Sequence, residues 1–516
     1  MDVGVVNLEI VGKIVSGDFS GIIIRQKTGL DVELGELLVS RENNGYFILQ
    51  VFDISYGSQI PERIRSLAAG LKLEEVSNLS FLDGELSNFI LIILKPVLFV
   101  TPNRYHLPKK LPKFFSAVER IREEDLRFLE KPNKPLYFGK IRSGSRVLDI
   151  DVFLRGDDVI THHMLISAST GKGKSNLVKV LTYNLLNETY SGLLVIDPHD
   201  EYYGRSKKGL KDHPNARTKI VYYSTNPPAG GITLVLDLKT IKPWHLTGIV
   251  SLTEAQIECI YLFYNRDKEN WIENIVLAEK EEGVSIVTLD VLKRKFNNIF
   301  GVTLEDGQIS FRSNLFSNNS GVTTIKNVVD SLENGKTVII DTSKLGGEVE
   351  LLVGGIFAEG IFSRYRDLSF KGHLQNKPCV SIIIEEAPRV LGKDVLDKGA
   401  NIFGTIAREG RKFKVGLVAI TQLPSLISKE ILANMNTKII MGTEMSNERS
   451  ALIESSPQDI SEESRNISSL DIGEALLTST FSKLAIPLKI PLFEDIFKVD
   501  KTLVKDKTTF RGVDLE

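Results

Sequence analysis

The chain has 516 residues, more than one hydrophobic core normally serves, so roughly two to four domains are expected. Lys and Arg (64) nearly balance Asp and Glu (66) for a formal net charge of -2, which excludes a protein coated with nucleic acid over its whole surface and confines any such contact to a local patch or channel. Cys259 and Cys379 stand far apart with no His or Cys at ligand spacing, which argues against a disulfide framework or a zinc site.

The first residues, MDVGVVNLEIVGK, lack a basic stretch followed by an apolar one, so no signal peptide is expected and the protein reads as cytoplasmic. Residues 1–105 then carry VNLEIVGKIV, GIIIRQ, LGELLVS and GYFILQVFDIS, short β-branched and aromatic runs cut by turn residues, and predict a small β-barrel. A helical segment, PERIRSLAAGLKLEEV, interrupts them. The most apolar stretch, FILIILKPVLFV, is broken by Lys95 and Pro96 and is too short to span a bilayer. Residues 106–135 read as a Pro- and Lys-rich linker around one charged helix, SAVERIREEDLRFLE. The run KKLPK within it reads as solvated, with contact to DNA phosphates as the second reading.

From about residue 136 apolar strands alternate with helices, the pattern of a parallel sheet with crossovers. The expected strands are MLISA (164–168), GLLVID (192–197), KTVIID (336–341), VSIIIE (380–385), VGLVAIT (415–421), TKIIMGT (437–443) and EALLTS (474–479). This assigns an α/β core to residues 136–240 and 336–490. The interval 241–335 differs: SLTEAQIECIYLFYN, with Ser251 and Glu254 at capping-box spacing, TLDVLKRKFNNIF and TTIKNVVDSLENG predict an inserted helical bundle.

Residues 168–175, ASTGKGKS, match a P-loop with Ala168 in the place of the usual first Gly, between an apolar strand and a helix pattern. Gly171 and Gly173 let successive N–H groups converge on phosphates at a helix N-terminus; Lys174 reaches the β- and γ-phosphates and the Ser175 hydroxyl coordinates Mg²⁺. The expected nucleotide-binding set is Ser169, Thr170, Gly171, Lys172, Gly173, Lys174, Ser175 and Asn176. Three strands end in acids able to serve the metal: Asp197, Asp341 and the pair Glu385–Glu386. Only the third offers two adjacent carboxylates, Glu385 for the Mg²⁺ shell and Glu386 for the attacking water. Asp341 reads as a strand-end cap, and Asp197 as a supporting Mg²⁺ residue or part of a DNA-contacting loop.

Residues 407–425, AREGRKFKVGLVAITQLPS, place Arg408, Arg411, Lys412 and Lys414 before a core strand ending in Thr421–Gln422. Gln422 is placed to sense the γ-phosphate, and an arginine of the cluster to reach a neighbouring subunit's nucleotide. For DNA the candidates are Arg205, Lys207, Lys208 and Lys211 in GRSKKGLKD, then Arg389 and Lys393; a solvated loop is the alternative.

ASTGKGKSN, VIDPHDEY, IIIEEAPR and REGRKFKVGLVAITQLPS, in this order, resemble the HerA branch of the HerA/FtsK translocases. The resemblance implies a RecA-like core with an N-terminal barrel and a helical insertion, ATP and Mg²⁺ at the interfaces of a homo-hexamer, and duplex DNA in its pore. It also implies an arginine finger acting in trans (Arg411, with Arg408 second) and a C-terminal brace, residues 491–516. A partner is implied on the barrel, a NurA-like nuclease or a sirtuin-like or nuclease defence effector. The chain departs from the family pattern at Ala168, at Lys172 where Ser is common, at Glu385 where Asp is common, and at His162 where many relatives have Arg. A conjugation- or packaging-type DNA pump and a non-enzymatic DNA-binding ring are the alternatives; a GTPase is disfavoured because Asn376-Lys377-Pro378-Cys379 lacks the Asp of a base-reading motif.

Overall fold

β-branched and aromatic runs fit a pleated, half-buried surface, and the chain opens with seven such strands: β1 (Ile10–Gly17), β2 (Ile22–Gln26), β3 (Leu37–Glu42), β4 (Gly45–Ser58), β5 (Asn88–Thr101), β6 (Arg104–His106) and β7 (Ala117–Arg120). The computed structural model describes residues 9–73, 88–246, 248–305, 308–397 and 399–497. The strand order β2-β1-β7-β3-β4-β5 returns to β2 through an antiparallel β2–β5 pairing, so six strands close a barrel and β6 hangs on β5. Val11, Ile24, Leu38, Phe47, Leu49, Ile92, Leu94 and Val118 fill its interior. The helix expected after β4 covers Glu62–Leu73; the end of the expected segment, 74–76, lies outside the described residues.

The charged helix expected over 116–130 does not form. Ala117–Arg120 is β7, which pairs with β1 and β3 and closes the barrel; a single 3₁₀ turn, Glu123–Leu126, follows. The barrel therefore extends past residue 105 into the expected linker. Charges that read as a solvated helix face are ion pairs across the barrel wall: Arg41 with Glu119 (3.1 Å) and Asp125 (2.8 Å), and Arg120 with Glu36 (3.0 Å) and Glu9 (3.2 Å). Within KKLPK, Lys110 pairs with Glu42 and lies over the Phe99 ring.

The core is built on β8 (Pro135–Ser143), β9 (Arg146–Arg155), β10 (Met164–Ser167), β11 (Ser191–Asp197), β12 (Ile220–Ser224) and β13 (Ile232–Thr233). β14 (Leu236–Asp237) leads into the insertion, which holds β15 (Val302–Glu305), β16 (Gln308–Phe311) and β17 (Phe316–Ser317); after it come β18 (Thr337–Asp341), β19 (Cys379–Ile384), β20 (Val415–Thr421), β21 (Thr437–Met441), β22 (Glu474–Ser479) and β23 (Ile486–Lys489). All seven strands expected from the sequence are present, with ends within two residues. They belong to one 12-stranded sheet in the order β13-β12-β18-β11-β19-β20-β10-β21-β22-β23-β8-β9. The strands from β13 to β21 run parallel, and those from β22 to β9 antiparallel. Covered on both faces, β11, β19 and β20 are buried throughout, which is why they read as mostly apolar runs without polar alternation.

One sheet face packs on the P-loop helix, Lys174–Leu185, in a hydrophobic cluster that also takes in residues of β8 and β9 at the end of the sheet. The other packs on the long helix Gly347–Phe370 and on the insertion, whose Trp271, Phe296 and Phe300 join the same hydrophobic cluster as Leu194 and Ile340. The insertion is thus an extension of the core, with helices Glu254–Asp267, Trp271–Leu277, Ile286–Phe300 and Thr324–Glu333 and the β15–β16 hairpin. Its first long helix is capped by Thr253 and Gln256, two residues later than the expected Ser251–Glu254 pair. Of the expected brace, 498–516 lie outside the described residues; Phe493 and Phe497 pack on Tyr183 of their own chain.

Candidate functional site

In parallel strands the C-terminal ends share one edge of the sheet, and that edge is where open α/β sheets bind ligands. Here it gathers Ser167 and the P-loop after β10, Asp197 after β11, Asp341 of β18, Glu385–Glu386 after β19, and Thr421–Gln422 at the end of β20. The register pairs Ser167 with Thr421 and Asp197 with Asp341.

The P-loop takes its shape from Gly171 (φ +77°) and Gly173 (φ +105°), the latter at the N-cap of the helix that begins at Lys174. It is fastened along its length. Ala168 N–H donates to Thr421 O (3.3 Å), Ser169 N–H to Gly442 O (2.9 Å), and the Thr170 hydroxyl to Gln422 Oε1 (2.7 Å). Lys172 reaches away from the loop: its ammonium donates to Leu470 O (3.1 Å), and Gly473 N–H donates to its carbonyl (3.2 Å). Lys174 Nζ donates to Ala168 O (2.9 Å) and Ser169 O (3.3 Å). Burial pushes its pKa down, and the charges of Glu385 and Glu386 oppose that shift. A cation so placed, facing two carboxylates and held only by carbonyls, suits a phosphate. Asn176 is engaged elsewhere: its amide donates to Pro491 O (2.9 Å) and its Oδ1 accepts Phe493 N–H (2.8 Å), so it anchors the C-terminal segment.

The two acids after β19 differ. Glu385 is partly buried, burial raises its carboxyl pKa, and the Tyr202 hydroxyl donates to its Oε1. Glu386 is exposed and takes φ +50°, the left-handed region, which costs a non-glycine residue roughly 1–2 kcal/mol. The next residue holds that turn in place, Ala387 N–H donating to Ile420 O (2.9 Å). Such local strain concentrates at functional sites.

Asp197 does not offer an oxygen to a metal. It is fully buried, and its carboxylate accepts the N–H groups of His199 (3.3 Å), Glu201 (3.1 Å) and Tyr202 (3.0 Å). Burial raises its pKa to about 6 against the pull of those amides. Asp341 caps its turn as expected, accepting Ser343 N–H (3.0 Å) and Oγ–H (2.6 Å), and its other oxygen accepts from Arg205 (2.9 Å), Tyr222 (3.1 Å) and Ser224 (2.7 Å). Ser175 in the first helical turn and Glu385 remain as hard oxygen donors that fit Mg²⁺, with phosphates and water completing the shell. No cluster of three or more His, Cys, Asp or Glu able to hold a metal is found among the described residues.

Among the expected DNA contacts, Arg205 is removed: it is committed to Asp341 and to Asp200 (2.9 Å). Lys208 lies over the Phe497 ring, Lys211 donates to Arg205 O (3.3 Å), and Arg389 is held by Glu350 (2.8 Å) and Gly347 O (2.9 Å). Lys207 and Lys393 are exposed.

Arg408 pairs with Glu430 (3.2 Å) on the surface, while Arg411 is exposed, makes no ion pair among the described residues, and lowers the pKa of His162 by its charge, after the larger effect of burial. Arg411 precedes β20 and Gln422 follows it. Seven residues of strand at about 3.3 Å each, or ~20 Å, separate them. That exceeds the length of an arginine side chain, so Arg411 and Gln422 stand at opposite ends of β20.

A family model described as "Helicase HerA, central domain" matches residues 136–360. The DNA double-strand break repair helicase HerA of Sulfurisphaera tokodaii is 26% identical over 491 residues, covering 90% of this chain and 91% of that one. Its namesake in Pyrococcus furiosus is 25% identical over 400 residues, covering 69% and 70%. Among solved structures, the plasmid coupling protein TrwB with a non-hydrolysable ATP analogue superposes at TM-score 0.47 and 13% identity, covering 72% of this chain and 93% of that one.

Proposed function

We propose that this chain is a HerA-type, ATP-driven motor that moves along duplex DNA as a closed ring of six subunits. The observation that carries the reading is the single sheet edge on which the P-loop, Glu385–Glu386 and Gln422 meet, with the charges of both carboxylates acting on Lys174 and Thr170 bonded to Gln422. In this reading Lys174 and the amides of residues 170–175 hold the phosphates of ATP. Ser175 and Glu385 hold Mg²⁺, which when bound neutralises charge on the β- and γ-oxygens. Glu386 orients and deprotonates the attacking water, and Gln422, tied to Thr170, reports the γ-phosphate. Arg411 of each subunit serves its neighbour's pocket, standing at the opposite end of β20 from the Gln422 of its own chain; Arg408, paired with Glu430, is the lesser candidate.

The barrel is the proposed seat of a partner, a NurA-like nuclease or a sirtuin-like or nuclease effector, because its surface is free of the phosphate-binding pattern. A conjugation- or packaging-type pump would share this motor; no described helix is long and apolar enough to cross a membrane. A non-enzymatic ring is disfavoured, since the P-loop lysine and both acids are in place.

Lys174→Ala should lose nucleotide binding, whereas Glu386→Gln should bind ATP, fail to hydrolyse it and retain it. Asp341→Asn should still turn over, with lower stability. Turnover and filter-retained nucleotide distinguish the three, and an active Glu386→Gln would overturn the reading.

A further inference from the structure

The turn that follows β11 is built around a buried aromatic ring. Asp197 sits at its start with no exposed surface, and its carboxylate gathers the N–H groups of His199, Glu201 and Tyr202, closing a tight loop. That loop fixes the backbone of Tyr202, whose side chain is 1% exposed and packs in the same cluster as the P-loop helix. The ring therefore cannot swing, and its hydroxyl points at one atom, Oε1 of Glu385.

A carboxylate on a strand end has free rotation about its last bonds unless something holds it. Burying a tyrosine hydroxyl costs free energy unless it finds an acceptor, and here the acceptor is an acid of the site. With Oε1 occupied, Oε2 is left for the metal shell. Among the described residues Glu386 makes no comparable contact, and it is exposed. The two adjacent acids are thereby made unlike, one clamped and one open.

We infer that Tyr202 is a positioning residue for Mg²⁺: its hydroxyl sets the rotamer of Glu385 and so assigns that carboxylate to the metal, leaving Glu386 for water. Asp197 acts at one remove, by holding the loop that carries the ring. The inference rests on the edge being an ATP–Mg²⁺ site, and it deepens that reading by tying the end of β11 to the end of β19.

The test is Tyr202→Phe in the full chain, which keeps the ring and deletes one oxygen. A hydrogen bond to a charged group corresponds to roughly a ten- to hundredfold effect. Mn²⁺ affinity, measured by electron paramagnetic resonance with a non-hydrolysable ATP analogue present, should weaken by about that factor, and the Mg²⁺ concentration for half-maximal hydrolysis should rise with it. Turnover at saturating Mg²⁺ should return to within about twofold, and analogue binding in EDTA should be unchanged. In a Glu385→Gln background, where the metal ligand is already gone, adding Tyr202→Phe should change Mn²⁺ affinity no further. Unchanged metal dependence in Tyr202→Phe, or a loss of thermal stability with normal metal affinity, would reduce Tyr202 to core packing and overturn the inference. An active Glu386→Gln would instead fail the underlying reading, so the two failures are distinguishable.

Discussion

Arg411→Ala gives the sharpest separation between outcomes. The side chain is exposed and makes no ion pair among the described residues, so its removal should change folding stability by no more than about 0.5 kcal/mol. If it completes a neighbour's pocket, hydrolysis should fall by about 10³ to 10⁵, equivalent to about 4–7 kcal/mol of barrier. Arg408→Ala is the matched control: it breaks a surface pair with Glu430 worth about 0–1 kcal/mol and should cost little activity. The guanidinium matters because its fork can contact two phosphate oxygens as charge develops, so Arg411→Lys should recover only part of the rate. Because β20 spans ~20 Å between Arg411 and Gln422, the proposed finger is expected to act across an interface. Mixing dead subunits tests this directly. A Lys174→Ala chain keeps its finger, and an Arg411→Ala chain keeps its pocket. In an evenly mixed head-to-tail ring about a quarter of interfaces join a good pocket to a good finger. Steady-state ATPase of the mixture should rise above either parent. No rise, with subunit exchange shown by a fluorescence reporter, would refute the trans assignment.

Three further outcomes follow from the structure. Arg205→Ala leaves the Asp341 carboxylate, 3% exposed, without its cation; with Arg205 itself 28% exposed, the cost should be about 2–3 kcal/mol in urea unfolding, below the 3–5 of a wholly buried pair. The salt dependence of DNA binding should stay put, whereas Lys207→Ala should flatten it by about 0.9 if that lysine meets a phosphate. His163 is buried, its Nδ1 accepts Leu417 N–H (3.0 Å), and burial, helped by His162, holds its pKa down to about 4. Between pH 4 and 6.5 the unfolded chain then binds the extra proton, so stability is lost as pH falls through that window, by up to ~3 kcal/mol. Asn at 163 keeps an acceptor and tolerates the φ of +60°, so His163→Asn should lose less stability between pH 7 and 4.5; equal losses would rule His163 out as the cause.

The parts of this fold that could be read from the sequence are those set by short-range pattern. β11, β19 and β20 are mostly apolar, buried from end to end and covered on both faces, and the glycine spacing of residues 171–173 has one local explanation. What could not be read depends on partners distant along the chain. Arg205 looked like a free cation because Asp341 lies 136 residues away, and β7 looked helical because its charges find Arg41 and Glu36 only once the barrel closes. The strands β8 and β9 alternate polar and apolar residues beside prolines and lysines, and the apolar-run criterion passes over them. Tyr202 carried a signal in DPHDEY, but a tyrosine at the end of a motif reads as core until its hydroxyl is seen against Glu385. Asn176 likewise sits in the P-loop by position and serves the segment at Pro491 by contact.

The fastening of the P-loop has a thermodynamic consequence. A glycine-rich loop that is floppy when empty must be ordered by its ligand, and fixing each residue's backbone costs about 1–2 kcal/mol taken from binding. Here Ala168, Ser169, Thr170 and Lys172 are each tied to a neighbouring strand or loop by the protein itself. Folding has already met that entropic cost, so the arriving phosphates find their amides in place, and the free energy of contact goes to affinity.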